Sequence, residues 1–283
     1  MLEIVNLRKT FFHGTPNEKK ALQGVNLRLK EGDFVTVIGS NGSGKSTLMN
    51  CIAGVFPPDE GQIKINDVDV TKMSEFVRAR YIGRVFQDPM KGTAGDMQVE
   101  ENLAMASRRG QPLSLRWSAD ASRKETFTQL LKELDLGLEN RLTTRIGTLS
   151  GGQRQAITLL MATLVKPQIL LLDEHTAALD PKTAEKVLML TKKRVEEGKL
   201  TTLMITHNMR DALRFGNRLI MMHEGRVVVD VEGEKKKNLT VQSLLQMFER
   251  ASGSEFSDPD HTGKISFFIQ ALNATPPKRR RRC

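Results

Sequence analysis

The chain has 283 residues, 39% hydrophobic and 27% charged, ordinary values for one large or two small soluble globular domains. Two cysteines, Cys51 and Cys283, exclude a disulfide framework and fit a reducing compartment. The net charge is +10, but five positive charges crowd into residues 278–282, and a single Trp and a single Tyr leave little base-stacking surface, which argues against a nucleic-acid partner.

The start, MLEIVNLRKT, lacks a basic stretch ahead of an apolar run and predicts no secretory signal. Residues 2–6, 25–29 and 61–65 place apolar side chains at every second position, the pattern of an antiparallel sheet with one buried face. Residues 34–38 (FVTVI), 168–172 (QILLL), 201–205 (TTLMI) and 218–222 (RLIMM) are unbroken apolar runs, as in parallel strands buried on both faces. Helical patterns at 45–54, 152–166, 182–197 and 208–215 alternate with them, so the expected class is α/β, a doubly wound core. Residues 91–147 differ: helical patterns at 97–107 and 119–136 and no convincing strand predict a helical insertion. The most apolar window, AITLLMATLV at 156–165, is too short to span a bilayer. Residues 240–250 predict a last helix capped by Thr240. After Pro276 and Pro277 the basic end predicts a solvated, disordered tail.

Three motifs carry chemistry. GSNGSGKST at 39–47 fits G-x-x-x-x-G-K-[ST], between an expected strand and helix. Gly39, Gly42 and Gly44 let the loop turn its amides onto phosphates, with Ser40, Asn41, Ser43 and Thr47 completing the cradle. Lys45 can reach the β- and γ-phosphates, and the Ser46 hydroxyl can bind Mg²⁺. ILLLDE at 169–174 is an apolar strand ending in two acids. Asp173 would face the loop and hold Mg²⁺, and Glu174 can orient and deprotonate an attacking water. LSGGQ at 149–153 joins a hydroxyl, bare amides and a helix start: Ser150, Gly151, Gly152 and Gln153 make a second anion cradle.

Together these motifs resemble the nucleotide-binding subunits of ABC transporters, from about residue 2 to residue 230. The resemblance implies a P-loop ATPase domain over 1–250, with an N-terminal antiparallel β subdomain and a helical subdomain at about 91–165, followed by an extension at 251–283. It implies ATP and Mg²⁺ as ligands. Gln87, in VFQDP, stands where the family has the glutamine that touches Mg²⁺ and the attacking water. Asp180, in AALDP, matches the aspartate that faces a partner subunit, and His207, in MITHN, the histidine at the γ-phosphate. Of the aromatics in KTFF, Phe11 is the expected adenine stack, with Phe12 as its neighbour and alternative. His175 departs from the pattern, since many members have Pro there; it is either a tolerated turn residue or a ring that tunes Glu174.

This variant, with VFPPDEGQI and QDPMKGTAGDMQVEENLAMASRRG, resembles a bacterial subgroup assigned to tryptophan/tyrosine-type uptake. The implied partners are a second copy in a head-to-tail ATP sandwich, integral-membrane permease subunits, and an extracytoplasmic substrate-binding protein. The implied place is the cytoplasmic side of the inner membrane. The alternative is a soluble ABC ATPase serving a non-transport partner such as a scaffold-assembly complex. Translation-associated members usually carry two cassettes, and DNA-maintenance members insert long heptad arms between P-loop and signature; this sequence has neither.

Overall fold

The computed structural model describes residues 1–111 and 121–252. The expected disordered tail and Cys283 lie outside the described residues. In chain order the elements are β1 (Leu2–Phe11), β2 (Lys19–Leu29), β3 (Phe34–Gly39), α1 (Lys45–Ala53), β4 (Glu60–Ile65), β5 (Val68–Asp69), α2 (Glu75–Arg78), β6 (Ile82–Val85), α3 (Val99–Ala106), α4 (Ala121–Lys132), α5 (Gly151–Leu164), β7 (Ile169–Asp173), α6 (Pro181–Gly198), β8 (Thr202–Ile205), α7 (Met209–Arg214), β9 (Arg218–His223), β10 (Arg226–Glu232), α8 (Glu234–Lys237) and α9 (Val241–Ser252).

The alternating N-terminal segments form a four-stranded sheet in the order β2-β1-β4-β5, antiparallel throughout. Register explains the alternation: Leu2 lies opposite Leu29 and Ile65, and Ile4 opposite Leu27 and Ile63, so one face is wholly apolar. The unbroken apolar runs form a second sheet, β10-β9-β3-β8-β7-β6, parallel from β9 to β6. Alternate residues of β7 enter different cores. Ile169 and Leu171 pack toward α1, whereas Leu170 and Leu172 pack toward α5 and α6. Helix α1 is therefore sandwiched between the two sheets, with Leu48, Met49 and Ile52 fully buried.

Helix α5 is apolar around most of its girth for the same reason. Leu159 and Ala162 face the sheet, while Ala156, Ile157 and Leu160 join a separate core with Val99, Leu103, Phe127 and Leu131 of α3 and α4. No described helix is long and apolar enough to cross a membrane. Thr240 caps α9 as expected, its Oγ1 accepting the Ser243 N–H at 3.1 Å.

Besides the two-residue β5, two strands carry no clear pattern in the sequence. β6 is only four residues long and is interrupted by Gly83 and Arg84, and among the described residues it pairs on one side only, with β7. β10 closes the opposite edge, antiparallel to β9, and is largely half-exposed.

Cations finish several helices, where unpaired carbonyls collect negative potential. Arg109 donates to Ala162 O at 2.8 Å and to Val165 O at the end of α5. Lys236 donates to Phe215 O and Gly216 O just after α7, and burial pushes its ammonium down to about 8. Arg78 is the most enclosed. Its guanidinium donates to Cys51 O and Ile52 O of α1, at 2.6 and 2.9 Å, and to Met73 O and Thr71 O, at 3.0 and 2.9 Å. Arg78→Met leaves these carbonyls without their charged donor and is expected to cost about 2–4 kcal/mol. Thermal melting should fall by roughly 5–15 °C; an unchanged melt would show that water replaces the guanidinium.

Candidate active site

The carboxyl ends of the parallel strands come out on one edge of the second sheet, where α/β folds place ligands. The loop 39–44 follows β3, Gln87 follows β6, Asp173 and Glu174 end β7, and His207 follows β8.

The loop is built by glycine. Gly39, Gly42 and Gly44 have φ of 151°, 79° and 101°. A Cβ on Gly39 would lie 2.2 Å from Met222 O, and one on Gly44 2.5 Å from Ala21 O, so neither position has room for a side chain. Lys45 is buried, and its ammonium donates to Gly39 O at 2.8 Å and Ser40 O at 2.9 Å. Burial lowers its pKa, while Glu174 and Asp173 pull it back up. Ser43 Oγ is buried with no hydrogen-bond partner among the described residues. A loop of left-handed glycines, a buried ammonium and a hydroxyl without a described partner fit a polyphosphate.

A cleft of about 240 Å³ opens over this loop, with Phe11, Lys19, Ser46, Thr47 and Glu174 among its walls. Phe11 stands at it with its ring edge-on to Phe56, centroids 5.2 Å apart. Phe12 does not line it; that side chain is 69% exposed, on a residue with φ of 55°.

The acids behave differently from each other. Burial raises the Asp173 pKa, and the Arg84 guanidinium, with Nη2 3.8 Å away, opposes that rise. Arg84 also donates to Asn50 Oδ1 at 2.7 Å and lies over the Phe86 ring at 4.4 Å. Sequence reading does not single out Arg84, because its role depends on β6 pairing beside β7. Glu174 has φ of 46°, a left-handed conformation that costs a side-chain-bearing residue about 1–2 kcal/mol. Its N–H donates to Ile205 O at 3.1 Å and its carbonyl accepts from Ala177 N at 2.9 Å. Its carboxylate lies 3.0 Å from His207 Nδ1, so the expected base and the expected γ-phosphate histidine are partners here. Gln87 is exposed on the loop beyond β6.

His175 turns inward, not toward the cleft. It is 2% exposed, its Nε2 lies 3.0 Å from Thr191 Oγ1 on α6, and burial lowers its pKa to about 4.

The second cradle is elsewhere on the surface. Ser150, Gly151, Gly152, Gln153 and Asp180 are not among the walls of the cleft in their own chain. Ser150 caps α5: its Oγ accepts the Gln153 N–H at 3.3 Å, which leaves its own proton free to donate. Asp180 caps α6, with Oδ1 accepting the Thr183 N–H at 3.1 Å, and hydrogen bonds from Thr183 hold its pKa low. The two caps abut. A Cβ on Gly152 would lie 2.0 Å from Thr183 Cγ2, so this glycine is required by packing on α6 as well as by any anion.

Backbone hydrogen bonds tie the loop after Gln87 to the run into Ser150. Gly147 N donates to Gly95 O at 2.8 Å, Ile146 N to Met97 O at 3.1 Å and Val99 N to Thr144 O at 3.0 Å. The buried Asn102 holds the same turn, accepting from Ala94 N and donating to Ala94 O and Gln98 O.

Fold and site define a P-loop nucleoside triphosphatase. Residues 22–177 match the family described as ABC transporter. The chain is 45% identical over 253 residues to the Tyrosine transport ATP-binding protein of Clostridioides difficile, covering 89% of this chain and 100% of that protein. It is 34% identical over 235 residues to the Energy-coupling factor transporter ATP-binding protein EcfA2 of Clostridium tetani, covering 82% and 78%. Among solved structures it is similar to the dimeric post-hydrolysis state of the ATP-binding cassette MJ0796 bound to ADP and Pi, with a TM-score of 0.69 at 32% identity, covering 82% of this chain and 98% of that one. The chain belongs to the ATP-binding family of ABC transporters, and its activity is ATP hydrolysis in a transporter.

Proposed function

We propose that the chain powers a separate membrane permease for import of an aromatic amino acid, from the cytoplasmic side of a bacterial membrane, with an extracytoplasmic protein delivering the substrate. The name of the 45%-identical relative supports the substrate class. That no described helix is long and apolar enough to cross a membrane supports a separate permease. The observation that carries the mechanism is the separation of the two cradles: the P-loop cleft is lined without Ser150 or Asp180, which stand exposed on their own chain. They complete the cleft of a second copy, placed head to tail, with Ser150 and the start of α5 on the γ-phosphate.

Within each cleft Phe11 stacks on adenine and the P-loop holds the phosphates. Ser46 and Asp173, with Gln87, would hold Mg²⁺, which neutralises charge on the transferred phosphoryl group. No cluster of three His, Cys, Asp or Glu side chains able to hold a metal occurs among the described residues. With Asp173 as its one carboxylate ligand, the ion would be held largely by phosphate oxygens and water. Glu174 takes the proton of the attacking water, and His207 moves from Glu174 to the γ-phosphate.

The unit at 91–165 carries ATP occupancy to the permease. Gln87 leads into the segment that is hydrogen-bonded to residues 144–147, and with the helical unit that segment would form a groove for a short helix of the permease, so a shift at the phosphate reaches both that groove and the LSGGQ signature. Glu101 is unsuitable as a probe of that groove, because its carboxylate accepts the Gln98 N–H at 2.7 Å and caps α3. Met90 and Met105, which are 41% and 48% exposed, are better probes. With Cys51 and Cys283 replaced, cysteines at 90 and 105 should crosslink to a polytopic membrane protein in native membranes. Crosslinks from position 246 alone would move the permease surface to α9, and capture of a soluble partner alone would favour the scaffold-assembly alternative.

A further inference from the structure

We propose that His175 is a positioning residue for the hydrolytic step, one that fixes the base Glu174 by donating Nε2–H to Thr191 of α6. The inference rests on the reading of Glu174 as the base. Glu174 adopts φ of 46°, which is unfavourable for a residue with a side chain and persists only where the surroundings impose it. Upstream the imposition is clear: Asp173 belongs to β7, and Glu174 N–H is bonded to Ile205 O of β8. Downstream the chain leaves the sheet for a turn, and the next residue is His175. Beside the Ala177 N–H that donates to Glu174 O at 2.9 Å, its ring is the side-chain tether. It is buried, it reaches a helix sixteen residues further along the chain, and its partner Thr191 is itself 1% exposed.

The protons on this path follow from the distances. Thr191 Oγ1 lies 2.8 Å from Val187 O, a contact between two oxygens that needs a hydrogen between them. A carbonyl has none, so the Thr191 proton is there. The 3.0 Å contact from Thr191 Oγ1 to His175 Nε2 then needs the histidine's proton. The ring therefore donates Nε2–H to a hydroxyl whose own hydrogen is already committed. Helix α6 is a firm anchor, because Leu188 and Val195 pack in the same core as Leu170 and Leu172 of the strand that ends at the acids. His175 touches no reacting atom. It limits how far the residue before it can swing, and a misplacement of about 1 Å at a reacting group costs on the order of 10²-fold in rate.

Two pairs of variants test this. His175→Leu keeps bulk without a donor, and His175→Gln keeps an N–H near the Nε2 position. Thr191→Val removes the hydroxyl, and Thr191→Ser restores it. The expected result is a fall in kcat of about tenfold or more for His175→Leu and Thr191→Val. KM and the affinity for a fluorescent ATP analogue stay within about twofold, and His175→Gln and Thr191→Ser recover most of the rate. In a Glu174→Gln background, His175→Leu should not alter the ATP-trapped dimer, because only placement of the base is affected. Nitrogen NMR of the His175 ring in the full chain should show Nε2 carrying a proton.

Equal rates in Leu and Gln variants, a fall in melting temperature without a fall in kcat, or an Nδ1–H tautomer would each overturn the proposal. Should His175→Leu fail to fold, the threonine pair and the tautomer decide the matter. If Glu174→Gln itself retained rapid turnover, the base assignment would be at fault, and the tether between His175 and Thr191 would still be read from the tautomer.

Discussion

Glu174→Gln is expected to bind ATP normally and to hydrolyse it on the order of 10²–10⁴-fold more slowly than the parent chain. The amide has the shape of the carboxylate, can keep a hydrogen bond to His207 across the 3.0 Å contact, and can still accept from water. It cannot take the proton that the water must lose as it attacks. Lys45, the P-loop amides and Phe11 are untouched, so nucleotide affinity should change by less than about threefold, given that Glu174 contributes one wall of the cleft among many. Because the chain then binds ATP without consuming it, ATP should hold two copies together, visible as a doubled mass in size-exclusion chromatography with light scattering. Steady-state phosphate release above roughly a tenth of the parent rate would remove Glu174 from the base role.

The chemistry-bearing segments were legible because their signals are local. The P-loop is nine consecutive residues between a strand and a helix, and its glycines sit where Met222 O and Ala21 O leave no room for a Cβ. The doubly wound sheet was legible because strands buried on both faces lose their polar alternation, as β3 and β7 do. What the sequence concealed depends on residues distant along the chain. β6 has four residues with Gly83 and Arg84 in the middle, so neither period shows; only pairing with β7 makes it a strand and carries Arg84 to Asp173. The inward course of His175 could not be read without Thr191, sixteen residues away on a helix face that periodicity marks only as buried. Gly152 looks like an anion ligand in the sequence, and the Thr183 methyl shows a packing reason that would hold with no anion present. Glu100 and Glu101 look equivalent, yet Glu101 is half of a capping box and Glu100 is not.

Ser150→Arg should leave nucleotide binding by the single chain nearly intact and abolish ATP-dependent pairing and hydrolysis. Lys45→Ala should instead lose binding itself, by roughly 10–100-fold, because it removes a charge-assisted donor from the phosphates. The contrast follows from where the two residues stand. Lys45 is buried at the start of α1 and lines the cleft, whereas Ser150 is exposed at the start of α5 and absent from the walls of its own cleft. If the cleft were complete within one chain, the Ser150 variant would have no reason to affect hydrolysis at all. If it is shared, arginine at position 150 places bulk where the γ-phosphate of the other copy must approach the amides of α5. A direct test replaces the exposed Ser40 and Ser150 by cysteine in a Glu174→Gln chain lacking Cys51 and Cys283. ATP should strongly increase the disulfide between copies, read as a dimer band on a non-reducing gel, and removal of ATP should abolish the increase. A bond formed only within one chain, or formed equally without ATP, would refute the shared site. In mixed pairs of Ser150→Arg with Lys45→Ala chains, one composite cleft carries both lesions and the other neither. Partial hydrolysis by that mixture would show that one intact cleft suffices, and none would show that the two must close together, with ATP in each acting as the contact that holds the copies until Glu174 takes its proton.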